Sequence, residues 1–85
     1  MVLNIDAISG GGASDFRRDL FTPSIGQTIF VLSATPADPD SVGFYVNSVK
    51  YELNVHFTLL VATITWNNVA FVMSNTDQIE INYVV

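Results

Sequence analysis

The sequence predicts an all-β domain, a small antiparallel β-sandwich or barrel preceded by a flexible N-terminal arm. Three observations carry that expectation. Apolar residues alternate on both sides of Asn47-Ser48, which is the pattern of a two-residue β-hairpin. A second alternating pair, Phe57-Thr58-Leu59-Leu60 and Thr63-Ile64-Thr65-Trp66, has the length of another hairpin. The chain then closes on Gln78-Ile79-Glu80-Ile81-Asn82-Tyr83-Val84-Val85, which alternates cleanly and turns Ile79, Ile81, Tyr83 and Val85 inward.

Taken in order, Val2 to Ile8 reads as a short strand with Leu3, Ile5 and Ala7 on one face. Ser9-Gly10-Gly11-Gly12-Ala13-Ser14 has a linker composition. The first segment is therefore either a tethered arm that adds a strand to a neighbour or a frayed terminus. Ser14 is placed to cap one helical turn over Asp15–Phe21, which Pro23 stops from extending. Residues 1–21 are thus expected as arm and linker, and 22–85 as the β module. Arg17-Arg18, flanked by Asp15 and Asp19, reads as a locally neutralised, solvated face.

Strands are expected near 28–33, 41–47, 49–53, 57–60, 63–66 and 78–84. In the first, Phe30 and Leu32 face the core, yet Ile29 and Val31 on the opposite face are also apolar. A strand apolar on both faces is one buried on both faces, which points to a contact with another chain. Ala34 to Pro39, with Pro36 and Pro39, is a turn rather than a central strand. Pairing Val46 with Val49 across Asn47-Ser48 puts Val42, Phe44, Val46, Val49, Tyr51 and Leu53 on one face. In the second hairpin Phe57 meets Trp66 and Leu59 meets Ile64 inside, while Thr58 meets Thr65 outside. Its loop, Val61-Ala62, is a poor two-residue turn because such a turn wants φ > 0. Either the loop is wider, or its apolar tip is held by a neighbour. Asn67-Asn68 and Asn75-Thr76-Asp77 are turn signals, and Val69–Met73 between them is a short strand or a core-covering crossover. The predicted core is Phe30, Leu32, Val42, Phe44, Val46, Phe57, Ile64, Trp66, Ile79 and Ile81.

Composition narrows the function. The 85 residues make one domain. A net charge of −5, with only Arg17, Arg18 and Lys50 as cations, argues against nucleic acid. No apolar run approaches ~18 residues, so no spanning segment is expected. The first residues lack the basic end and long apolar stretch of a secretory signal, so no export by that route is expected. Without cysteine, His56 alone cannot build a zinc site, and no nucleophile motif surrounds it. Asp38 and Asp40 lack the remaining spacing of a calcium loop. No catalytic residue, metal or cofactor is therefore expected, and the chain reads as a non-enzyme. Half of it is hydrophobic (49%) and only 13% is charged, more apolar than so small a domain readily buries alone. Leu3, Ile5, Ile29, Val31, Leu60 and Val61 are the candidate oligomer or partner contacts.

Several stretches together resemble a small β module of bacteriophage virion proteins, chiefly tail-fibre and other appendage proteins. They are Gly26-Gln27-Thr28-x-Phe30-x-Leu32, Asp40-Ser41-Val42, Phe44-Tyr45-Val46-Asn47-x-Val49, Phe57-Thr58-Leu59, Thr63-Ile64-Thr65-Trp66 and Thr76-Asp77-x-Ile79-Glu80-Ile81. They span about residues 22–85. The central turn of that family is typically Asn-Gly, with an aspartate before the aromatic-Thr pair and a glycine in the second turn. Here Asn47-Ser48, His56 and Val61-Ala62 stand in those places. The resemblance implies a structural virion protein, a fibre or appendage module or a capsid decoration protein. Such a protein assembles in the host cytoplasm and docks on other virion proteins as a homo-oligomer, a trimer being usual for fibre modules. The alternative expectation is a carbohydrate-binding module for host-surface glycans, with Trp66, Tyr45 and Tyr51 as stacking surfaces.

Overall fold

A computed structural model describes residues 15–85. The predicted strand Val2–Ile8, with Leu3 and Ile5, lies outside them. Among the described residues seven strands are formed: β1 (Phe16–Phe21), β2 (Ile29–Val31), β3 (Gly43–Val46), β4 (Val49–Tyr51), β5 (Phe57–Leu60), β6 (Thr63–Trp66) and β7 (Ile79–Val84). They make two antiparallel sheets, one of four strands in the order β1-β7-β3-β4 and one of three in the order β2-β6-β5. The all-β expectation holds.

The central hairpin follows the predicted register, with Val46 opposite Val49. Asn47 and Ser48 take φ of 51° and 71°, positive at both central residues as a type I′ turn requires. A second tie was invisible to local pattern. The Asn47 amide donates from Nδ2 to Asp77 Oδ1 (2.9 Å), and its Oδ1 accepts from the Gln78 N–H (2.9 Å). One side chain thereby clips the hairpin turn to the turn that launches β7.

Period-2 alternation decides what is buried. The four-stranded sheet contributes Phe44, Val46, Ile79, Ile81 and Tyr83, and the three-stranded sheet contributes Phe30, Phe57, Ile64 and Trp66. Every residue of the predicted core is buried. Phe44 lies at its centre, stacked on Phe57 (centroids 5.0 Å) and Trp66 (5.3 Å) and edge-on to Phe30 (6.0 Å). Such aromatic pairs add to the free energy of area burial.

Three expectations need correction, and one open choice is decided. Residues 16–21 are a strand, not part of a helical turn, and pair along their full length with β7. The folded unit therefore includes residues 16–21 instead of starting at 22. Strand 41–47 begins only at Gly43, because Pro39–Ser41 form a single 3-10 turn capped by the Asp38 carboxylate on the Asp40 N–H (3.0 Å). Val49, aligned with the inward face, is 54% exposed, since it sits at the turn end of the edge strand β4. Val69–Met73 is not a strand. It is the crossover alternative, in which Met73 is buried and the Phe71 carbonyl accepts from Trp66 Nε1 (2.9 Å).

Candidate functional site

The outer face of the three-stranded sheet carries no charge, because none of β2, β5 and β6 contains a charged residue. Cross-strand register builds it in two rows: Val31, Thr63 and Leu60 in one, Ile29, Thr65 and Thr58 in the other. Alternation that sends Phe30, Phe57 and Ile64 inward must send these residues outward. Ile29, Val31 and Leu60 are 48%, 63% and 77% exposed, so an apolar ridge on β2 and Leu60 on β5 flank the central threonines of β6. Of the six candidate contacts, this face unites Ile29, Val31 and Leu60, with Val61 at its tip; Leu3 and Ile5 lie outside the described residues.

The tip is strained. Leu60 pairs with Thr63, so the loop is the two-residue Val61-Ala62 and not a wider one. Val61 takes φ of 57°, a region where a β-branched side chain is disfavoured. The Leu32 N–H donates to the Ala62 carbonyl (2.8 Å) and ties β2 to that tip. Val61→Gly should relieve the strain and raise stability by about 1 kcal/mol, read as a higher urea midpoint.

A second feature lies on the outer face of the four-stranded sheet. Arg18, Leu20, Tyr45, Asn47, Ser48, Gln78 and Glu80 line a shallow groove of about 430 Å³. Glu80 is held from two sides, by Arg18 Nε (3.3 Å) and by Asn82 Nδ2 (2.9 Å). The Tyr45 ring crosses over Gly43, where a Cβ would meet Cε1 at 3.0 Å, so glycine is what lets the ring lie down on the sheet. Of the three aromatics expected as platforms, only Tyr45 borders this groove. Trp66 is buried, and Tyr51 packs edge-on against it (5.2 Å).

The remaining polar groups hold the fold together. Asp19 on β1 accepts from the Ser33 hydroxyl (2.7 Å), the Ser33 N–H (2.9 Å) and the Tyr83 hydroxyl (2.6 Å), joining the four-stranded sheet to the segment after β2. Burial raises its pKa, but the bonds from Ser33 and Tyr83 and the nearby Arg17 charge outweigh it, so Asp19 titrates below the ordinary 3.8. His56 accepts at Nδ1 from the Glu52 N–H (3.0 Å) and lies edge-on to Tyr51 (5.2 Å) in the turn before β5. Its contacts are those of a turn brace. Among the described residues no cluster of three metal-ligating side chains occurs.

Together these features define a small antiparallel β-sandwich with one uncharged outer face and one grooved polar face. Compared with protein-family models, curated proteins and solved structures, the chain matches none of them.

Proposed function

We propose that the chain is a non-enzymatic structural module that acts by assembly with further copies of itself. The observation that carries this reading is the uncharged ridge-and-threonine face built by Ile29, Val31, Leu60, Thr58, Thr63 and Thr65. In a chain of net charge −5, copies repel one another wherever acidic groups meet, and this face lets them approach without that cost. Burying it removes apolar surface from water at about 25 cal/mol per Å², before the cost of association. Val61 adds support, since an apolar residue in a strained turn at the rim of the face contributes little to the fold by itself. The resemblance to phage fibre and appendage modules extends the reading to a virion protein, with three copies as the favoured assembly and larger virion proteins as docking partners.

Light scattering of the purified chain tests this reading. An oligomer is expected for the native sequence, and a smaller assembly with unchanged circular dichroism for the double substitution Ile29→Lys, Val31→Lys. A native chain that stays monomeric at high concentration would remove the basis for the proposal. A second reading, glycan binding, has one observation in its favour, the Tyr45 groove with its fixed Arg18–Glu80 pair. Glycan titration of the native chain against Tyr45→Ala separates it from the first.

A further inference from the structure

β1 is an edge strand, six residues long, and among the described residues only β7 pairs with it. The direction of its backbone groups follows from one bond. The Val85 N–H donates to the Asp15 carbonyl (2.9 Å), in register with the Phe16↔Val84 pair. Antiparallel ladders alternate hydrogen-bonded and non-hydrogen-bonded pairs. Asp15, Arg17, Asp19 and Phe21 therefore turn their backbone groups to β7, and Phe16, Arg18 and Leu20 turn theirs to the open edge. The side chains of the same three residues stand on the outer face, where Phe16 is 81% and Leu20 63% exposed. An edge with free backbone groups and exposed apolar side chains is a template for another strand.

We infer that this edge pairs with β1 of a second copy, antiparallel and about a twofold axis at Arg18, giving one sheet that continues through both molecules. Charge selects the register. The ladder requires Phe16, Arg18 and Leu20 to face their counterparts, so registers differ by steps of two residues. One step to one side sets Arg17 against the partner's Arg17. One step to the other sets Asp19 against the partner's Asp19. Between them, Arg18 faces the partner's Arg18, Phe16 faces the partner's Leu20, and Arg17 faces the partner's Asp19, twice by symmetry. Like charges directly opposite destabilise a strand pair and opposite charges stabilise it. The Arg18 pair on the axis is tolerable because each guanidinium already holds its own Glu80 (3.3 Å). The occupant is thus a second copy of this chain, chosen by the order Phe-Arg-Arg-Asp-Leu, which pairs along its whole length and complements itself only in this register. The interface is separate from the uncharged face of the three-stranded sheet.

The chain has no cysteine, which makes the register directly readable. Directly opposed strand residues have Cα atoms about 5.5 Å apart in a hydrogen-bonded pair, within the range a disulfide spans. Arg18→Cys should therefore give a covalent dimer under mild oxidation, and Leu20→Cys, which faces the partner's Phe16, should not. Adding Arg17→Glu to Arg18→Cys sets Glu against the partner's Asp19 and should abolish the cross-link. Cross-linking should persist in the Ile29→Lys, Val31→Lys background, so failure of this interface is read apart from failure of the other. Backbone amides of Phe16, Arg18 and Leu20 should gain protection from hydrogen exchange as concentration rises. A folded Arg18→Cys protein that stays monomeric, or Leu20→Cys that cross-links as readily, overturns the pairing. So does edge protection that is independent of concentration, since the edge is then filled from within one chain.

Discussion

Phe44→Ala is expected to lower the free energy of unfolding by about 3–5 kcal/mol. Phe44 is fully buried on β3, and its ring touches aromatic partners from the opposite sheet, Phe30, Phe57 and Trp66. Truncation loses the transfer free energy of the ring and leaves a cavity lined by rigid aromatics on strands, which close over it poorly. In a domain of this size that is a large share of the total stability. Urea unfolding should show a much lower midpoint with a similar slope. An unmoved midpoint would mean that the aromatic centre does not hold the two sheets together.

Asp19→Ala is expected to cost about 1.5–3 kcal/mol, the range for hydrogen bonds to a charged group. The carboxylate accepts from Ser33 twice and from Tyr83, whose hydroxyl is carried by a buried ring. Removing it strips the Ser33 N–H of its acceptor and loosens the join between β1 and the segment after β2. The same site gives a pH dependence of defined sign. Because its folded pKa lies below 3.8, the folded state binds the proton more weakly than the unfolded state. The contribution is complete above the unfolded carboxyl pKa and is lost as pH falls through the folded value. Native protein should therefore lose stability on acidification below about pH 4 more steeply than Asp19→Asn, measured by urea midpoints across that range. Parallel curves for the two proteins would remove Asp19 from the account. Loss of the latch should also free the β1 edge to fray, with faster amide exchange at Arg17 and Asp19.

Where local pattern and tertiary structure agree, one face of a strand is covered and the other is not. β3, β5, β6 and β7 each send alternate apolar residues to the core, so alternation alone locates Phe44, Phe57, Ile64, Trp66, Ile79 and Ile81. The exposed face of β2 was legible for the complementary reason, since Ile29 and Val31 interrupt that alternation with apolar residues where polar ones are usual. β1 shows the opposite case. Its apolar residues Phe16, Leu20 and Phe21 are spaced as on a helical turn, with charges between them. A strand with one partner on one edge needs no apolar stripe, because its backbone bonds to β7 hold it. Met73 likewise sits in no periodic segment and is buried because its loop packs into the core, where the Met73 carbonyl accepts from the Gly26 N–H (2.8 Å).

The amino-acid sequence by itself determined the all-β class, both hairpins with their registers and the core residues carried on the strands, because these depend on period-2 alternation and turn chemistry between neighbours in the chain. The tertiary structure decided the rest: the Asn47 amide on Asp77, 30 positions away, the Asp19 carboxylate between Ser33 and Tyr83, the groove beside Tyr45 and the place of β1 at the edge of its sheet among the described residues. Each joins segments that no local period relates, and hydrogen bonds between such segments depend on which strands the fold sets side by side.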